Sequence, residues 1–175
     1  MGILIMFQIS DSMLKYWEDN PEPKATDSEI AFIETRTGSK LSRPYIEFIT
    51  KYGSVIFGRD SERRCFFDYV ITFPNRMEIH EGDIAFLREP MRLLQAYENL
   101  ITPEYEGDEH KPCFPSNYLP VGSDSSQGQI LLELGEHAGR VWYWLERDWA
   151  WGTEDNTWLG FIADDFYGFI NKLRS

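Results

Sequence analysis

The chain has 175 residues, of which 42% are hydrophobic and 15% aromatic. That is enough apolar material for one folded domain and too much for general disorder. The formal net charge of −12 repels phosphate backbones and anionic lipid headgroups, so it argues against nucleic acid and membrane partners and favours a basic partner protein, although solubility alone also accounts for it.

Two helices are predicted in the first third of the chain. Thr26 and Glu29 have the spacing of a capping box at a helix N-terminus, and Gly38 is a natural helix end. Pro44 suits the first turn of a second helix, which Gly53 ends. The apolar residues of both helices recur at helical spacing: Ile30, Ile33, Tyr45, Phe48, Ile49 and Tyr52.

The middle of the chain is predicted to contain strands, a helix and a loop. Residues 55–57 and 65–71 are rich in β-branched and aromatic side chains, which is typical of strands. A third helix is predicted around residues 84–100, with a boundary near Pro90. Residues 101–115 are polar and contain three prolines, which indicates an exposed loop. The apolar positions of this helix are Leu87, Met91, Leu94 and Leu100.

The last part of the chain predicts three strands and a helix. Strands are expected at residues 118–121 and 128–134, and residues 141–146 return antiparallel to the second because glycines bracket the loop between them. Asp164 and Asp165 suit the positive N-terminus of a final helix. This order is not a regular βαβ alternation, so it predicts an α+β fold with a mainly antiparallel sheet flanked by helices. The apolar face of the final helix is Ile162, Phe166, Ile170 and Leu173.

Several short motifs, taken in order, resemble the SUKH superfamily. The later match is the stretch Leu-Pro-Val-Gly at 119–122, then Asp124, then Gly-Gln-Ile-Leu-Leu at 128–132, then Gly-Arg-Val-Trp-Tyr-Trp at 139–144. The resemblance covers roughly residues 26–173 of a single domain, 1–175, and leaves 1–25 as an N-terminal extension whose first nine residues form an edge strand or a short arm. The matching residues at the two ends are Ile30, Ile33, Glu34, Gly38, Leu41, Tyr45, Phe48 and Gly53, and Ala163, Phe166, Phe169 and Ile170.

The resemblance implies an interaction module with an α+β fold. The superfamily includes a yeast regulator of cell-wall glucan synthesis and many bacterial immunity proteins, which are thought to bind and neutralise secreted toxins, often nucleases. It carries no established catalytic set, so it transfers no catalytic residue to this chain. The sequence departs from the family pattern at Ser42, Pro44 and Tyr52, where Pro, Asp and Asn are expected.

The residues themselves give no catalytic or metal-binding pattern. The histidines, His80, His110 and His137, lack metal-ligand spacing, and the two cysteines form no Cys-x-x-Cys motif. Cys65 follows two arginines, which could lower the pKa of its thiol, but the pattern around it is that of a half-buried strand residue. Residues 122–128 are predicted to be a strand connection rather than a phosphate loop. We therefore expect no enzyme activity, no metal and no cofactor.

A stretch after the last predicted strand interleaves tryptophans with acids, which is a pattern typical of binding surfaces. A second acidic run lies in the loop at 101–115. The alternative is that the tryptophans cover the end of the core with solvated acids beside them. The predicted partner-binding residues are Asp148, Trp149, Trp151, Glu154 and Asp155, extended by Glu104, Glu106 and Asp108.

Together these features predict a cytoplasmic immunity protein that binds a basic toxin domain. The cytoplasmic location follows from two cysteines, no basic leader before the apolar start and no apolar run long enough to span a membrane. A regulatory scaffold of the same superfamily is one alternative, and an enzyme acting on a small molecule or glycan is another. A toxin reading frame beside the gene would favour the first, whereas a deep polar pocket would favour the last.

Overall fold

The computed structural model of the protein describes residues 11–19, 22–57, 65–102, 114–126, 128–145, 151 and 157–174. Within these residues the chain forms five α-helices and eight strands. The helices are α1 (Asp11–Glu18), α2 (Asp27–Thr37), α3 (Arg43–Lys51), α4 (Pro90–Ile101) and α5 (Phe166–Lys172). The strands are β1 (Val55–Ile56), β2 (Cys65–Phe73), β3 (Arg76–Ile84), β4 (Phe86–Leu87), β5 (Tyr118–Ser123), β6 (Gly128–Glu133), β7 (Val141–Leu145) and β8 (Gly160–Ala163).

All eight strands belong to one antiparallel sheet in the order β1-β4-β5-β6-β7-β8-β2-β3. The predicted α+β class is confirmed, and so is the hairpin of β6 and β7, in which Ile130 lies opposite Tyr143. Only Ala85 separates β3, at one end of this order, from β4, near the other end. The Ala85 amide donates to the Ser123 carbonyl at 2.9 Å, and its own carbonyl accepts from the Phe57 amide at 2.8 Å. The sheet therefore curls round so that its two ends approach each other.

The helices α2 and α3 form as their local signals predict. Thr26 caps α2, and the reciprocal bonds of a capping box with Glu29 are present. Gly38 ends the helix at φ +66°, a conformation that costs glycine little. Glu34 then accepts from the Leu41 amide at 3.0 Å, which fixes the turn into α3, and the hydrogen bond from Lys40 lowers the pKa of the Glu34 carboxyl.

Two parts of the prediction were wrong, and one helix was missed. The predicted boundary at Pro90 is confirmed as the start of the third helix, but residues 84–89 are not helical, because Ile84 ends β3 and Leu87 lies in β4. Ile162 belongs to β8, and the final helix begins only at Phe166, after Asp165 caps it through the Gly168 amide at 2.7 Å. The N-terminal region was not predicted to be helical, yet it contains α1.

The core lies between the helices and one face of the sheet, which we call the inner face. Phe166 of α5 is fully buried and makes edge-to-face contacts with Tyr45 and Phe48 of α3, at ring-centroid distances of 4.9 and 5.1 Å. Trp17 of α1 is also fully buried, and its ring lies 5.7 Å from Phe48 and 5.5 Å from Phe57. Aromatic packing thus joins α1, α3 and α5 into one core.

The connection between β5 and β6 is fixed by a buried carboxylate. Asp124 is 6% exposed, and its Oδ1 accepts from the Ser126 and Gly128 amides at 2.7 and 2.8 Å. Its Oδ2 accepts from the Tyr143 hydroxyl at 2.6 Å, and burial together with this bond raises the pKa of Tyr143. A Cβ at Gly128 would lie 2.2 Å from the Tyr143 oxygen, so only glycine fits. As predicted, this segment is a strand connection.

No helix in the described part of the chain is both long and apolar enough to cross a membrane.

Truncation of Phe166 to alanine should lower the free energy of unfolding by about 3–5 kcal/mol, because it leaves a cavity among closely packed rings. Phe32 lies on α2 but is 47% exposed, so Phe32→Ala is the matched control and should change stability by no more than about 0.5 kcal/mol. Urea denaturation followed by circular dichroism measures both. Equal losses for the two variants would contradict the placement of α5 against the core.

Candidate partner-binding surface

The face of the sheet opposite the helices, which we call the outer face, carries a row of apolar side chains across five strands. In antiparallel sheets, residues directly opposite each other point to the same face. Val70 is opposite Ile79 on one side and Phe161 on the other, and Phe161 is also opposite Trp142, which in turn faces Leu131. The row therefore runs from β3 through β2, β8 and β7 to β6.

The β6–β7 end of this row is covered by a second aromatic cluster. Phe114, Leu131 and Trp144 are buried there, with exposures of 3%, 0% and 2%. The Trp151 ring packs on this cluster, 4.8 Å from Phe114 and 5.8 Å from Trp144. The strand β7 is consequently enclosed on both faces, because Tyr143 points into the inner core.

The β2–β8 end of the row borders an open groove. The groove has a volume of about 490 Å³. Trp158 forms one wall, is 39% exposed, and packs against Phe73 with 4.7 Å between ring centroids. Such a groove suits an apolar or aromatic side chain from a partner, because partner contacts there would remove exposed aromatic surface from water. Its lining residues are Val70, Thr72, Met77, Trp142, Trp158, Leu159 and Phe161.

A buried carboxylate orients the tryptophan at the back of the groove. The Trp142 indole Nε1 donates to Glu133 Oε2 at 2.8 Å, and Glu133 is only 8% exposed. The Trp142 ring also makes an edge-to-face contact with Phe161, at 5.2 Å between centroids. This hydrogen bond and this ring contact fix the orientation of the indole at the back of the groove.

Acidic residues on the outer face of β2 and β3 are held by one arginine. Asp68 and Glu81 lie directly opposite each other, and Arg174 bridges them with Nη2 at 2.7 Å from Asp68 and 2.6 Å from Glu81. These two carboxylates raise the pKa of the Arg174 guanidinium. The ion pairs are more than 40% exposed, so they contribute little to stability but place charge beside the apolar row.

Of the sequence-predicted binding residues, the described part of the structure includes only Trp151, which is half-buried against the second cluster. This packing is the arrangement expected of a tryptophan that covers the end of the core. The other seven lie outside the described residues: Asp148, Trp149, Glu154, Asp155, Glu104, Glu106 and Asp108.

The groove itself was not predicted from the sequence. Met77 and Ile79 alternate with polar residues in β3, and this alternation was the signal that could have identified an apolar strand face. Phe161 lies in β8 and Trp158 just precedes it, and the sequence analysis did not recognise β8 as a strand. Without β8, nothing placed their side chains beside Val70.

The cysteine and histidines weighed as catalytic or metal-binding candidates have the following surroundings in the structure. Cys65 is fully buried in β2, and burial raises the pKa of its thiol to about 11. His80 stacks on Tyr69 with 5.4 Å between ring centroids, His137 is exposed, and His110 lies outside the described residues. Among the residues that the structure describes, no three His, Cys, Asp or Glu side chains form a group able to hold a metal ion.

Trp144 and Trp158, two of the tryptophans on the outer side of the sheet, should respond differently to truncation. Trp144→Ala should lower the free energy of unfolding by about 3–5 kcal/mol, since Trp144 is 2% exposed. Trp158→Ala should cost only about 1 kcal/mol, because 39% of that residue is already in water. Chemical denaturation tests both. A loss at Trp158 as large as that at Trp144 would mean that Trp158 is a core residue and not available to a partner.

Comparison with protein-family models matches residues 24–172 to the SMI1 / KNR4 family (SUKH-1). Searches of curated proteins and of solved structures give no match.

Proposed function

The chain belongs to the SMI1 / KNR4 family (SUKH-1), and from this membership we propose that it is a protein-binding module, specifically an immunity protein that neutralises a cognate toxin. In this proposal the chain acts in the cytoplasm, by binding rather than by catalysis. The matched region, residues 24–172, covers most of the chain.

The charge supports a basic toxin domain as the partner. The net charge of −12 would attract a cationic surface over a distance of about one Debye length, and most of that negative charge lies after residue 100. Domains that cleave nucleic acids carry basic clefts because they bind phosphates. An acidic protein that covers such a cleft gains a fast encounter and excludes the nucleic acid.

The outer groove is the structural observation that best supports the binding proposal. Its aromatic walls are Trp142, which is fixed by Glu133, and Trp158, which is partly exposed. Interfaces commonly depend on a few aromatic anchors in such pockets, surrounded by polar contacts. We propose that one apolar or aromatic side chain of the toxin enters this groove.

The acidic loop residues named from the sequence complete the proposed surface. Glu154 and Asp155 precede Trp158 by only four and three residues, so charge and anchor belong to one short stretch of chain. Asp148 and Trp149 belong to the same connection between β7 and β8. In the proposal these residues, with the acidic run at Glu104, Glu106 and Asp108, steer the basic partner while the groove holds it.

Co-expression tests the toxin-neutralising role directly. The reading frame next to this gene should encode a toxin domain that stops the growth of a bacterial host, and co-expression of the chain should restore growth. The two proteins should also elute together in size-exclusion chromatography. An adjacent toxin that neither binds the chain nor loses its toxicity would refute the proposal, whereas a complex without protection would point to a regulatory scaffold.

Binding kinetics separate the two parts of the surface. Reversal of Glu154 and Asp155 to lysine should slow association at least tenfold (~1.4 kcal/mol) at low salt and make association less sensitive to salt. Trp158→Ala should instead speed dissociation, at a cost of about 2 kcal/mol or more. Met91→Ala is the control, because Met91 is 57% exposed but lies on α4, away from the groove.

Surface plasmon resonance at several salt concentrations gives both rate constants. Wild-type kinetics for all three variants would place the interface elsewhere on the protein.

A further inference from the structure

The strand β3 has one paired edge and one edge that meets no strand among the described residues. It pairs with β2 along its whole length, from Arg76 opposite Phe73 to Ile84 opposite Cys65. On the other edge, the described part of the loop after β5 contacts Asp83, whose Oδ2 accepts from the Ser125 hydroxyl at 2.9 Å. The stretch of edge from residue 76 to residue 82 is therefore presented for pairing in the described part of the molecule.

This stretch exposes two large apolar side chains on the outer face. Met77 is 72% exposed and Ile79 is 75% exposed. An edge strand with exposed apolar residues is a template for another strand, since its backbone amides and carbonyls can extend the sheet. A second strand alongside β3 would pair the backbone groups along this edge and remove part of this apolar surface from water.

The other face of the same stretch alternates in charge. Arg76 Nε lies 2.6 Å from Glu78 Oε1, and His80 Nε2 lies 3.2 Å from Glu78 Oε2. The hydrogen bonds from Arg76 and His80 lower the pKa of the Glu78 carboxyl. A glycine, Gly82, follows on the same face, so a neighbouring strand can approach it closely.

We propose that two copies of this chain associate through these edges, antiparallel across a two-fold axis, with Ile79 of one copy opposite Ile79 of the other. The two sheets then form one continuous sheet. In a two-fold antiparallel pairing, the residue numbers of every opposed pair add up to the same value. In this register that value is twice 79. The self-complementary pattern of β3 points to the second copy as the partner strand.

This register makes the two faces of the joined strands complementary. Glu78 of each copy lies opposite His80 of the other, which gives two acid–imidazole contacts related by symmetry. On the outer face the two Ile79 side chains meet, with the side chains of Met77 and Glu81 paired on either side. The remaining pair, Arg76 with Gly82, brings no like charges together, and the ladder spans the presented stretch from end to end.

The neighbouring registers are less favourable, because they oppose like side chains or run into a turn. A centre at Glu78 or Glu81 would place two carboxylates directly opposite each other, which is destabilising in a sheet. A centre at His80 would oppose two imidazoles and leave Glu78 opposite glycine. A centre at Met77 would run into the turn at residues 74 and 75 after one residue on each side.

Site-specific disulfide formation tests the register in the full-length chain. Directly opposed Cα atoms in antiparallel strands lie about 4.5–5.5 Å apart, within the roughly 4.4–6.8 Å range of disulfides. Ile79→Cys, in a Cys113→Ser background, should therefore give a covalent dimer under mild oxidation. Met77→Cys is the matched control, because the two copies of position 77 would be offset by four residues, about 13 Å along the strand.

Positions 77 and 79 are almost equally exposed, so random collisions would link them equally well. The proposal expects Ile79→Cys to link at least tenfold faster than Met77→Cys. Equal rates, or no link at position 79, would overturn it. Circular dichroism of both variants shows that they are folded.

Sedimentation equilibrium of the unmodified chain gives an independent measurement. The wild type should dimerise, and Ile79→Lys should weaken the dimer at least tenfold, whereas Met91→Lys on α4 should leave it unchanged. His80→Glu should also weaken it, because each Glu78 would then face a second carboxylate, and the double variant Glu78→Lys with His80→Glu should restore it. A wild-type chain that stays monomeric at 100 µM, or a double variant no tighter than His80→Glu, would overturn the proposal.

Discussion

The short connection through Ala85 determines how the rest of the molecule is arranged. Because one residue joins β3 to β4, the strand at one end of the sheet leads directly into a strand near the other end, and the sheet has to curl. The inner face then encloses aromatic rings from α1, α3 and α5, while the outer face carries the row that ends in the groove. The same curl leaves part of β3 beyond the loop after β5. Core, groove and presented edge are thus three results of one constraint.

The elements that the sequence predicted well are those with local signals. The capping box at Thr26, the glycine at Gly38 and the glycine-bracketed hairpin of β6 and β7 each depend on residues within a few positions of one another. The strands β3 and β8 were missed because their neighbours in space define them. β3 is largely polar and is a strand only through its pairing with β2, and Ile162 of β8 has the spacing of a helical residue relative to Phe166.

The candidate surface was harder to predict for the same reason. The sequence gives tryptophans and acids, but whether an indole faces solvent depends on which strand lies beside it. Trp151 packs on Phe114 and Trp144, whereas Trp158 lies partly exposed on Phe73, and nothing in their immediate sequence separates the two. The family motif does not help, because Asp124, Gly128 and Tyr143 fix the β5–β6 connection. Residues that identify the family therefore maintain the scaffold, and a surface for a particular partner must be read from other positions.

The reactivity of the buried Cys65 thiol can report how often the sheet opens locally. Burial raises the thiol pKa to about 11 and keeps reagents away from the sulfur, so Cys65 reacts readily only when β2 separates from the layers around it. The strand pairs with β3 on one side and β8 on the other, so this separation breaks the sheet near its curled end. The rate at which a thiol reagent modifies Cys65 in a Cys113→Ser chain thus measures how often the sheet opens. A partner that binds across β2 and β8 would slow that rate without touching the cysteine.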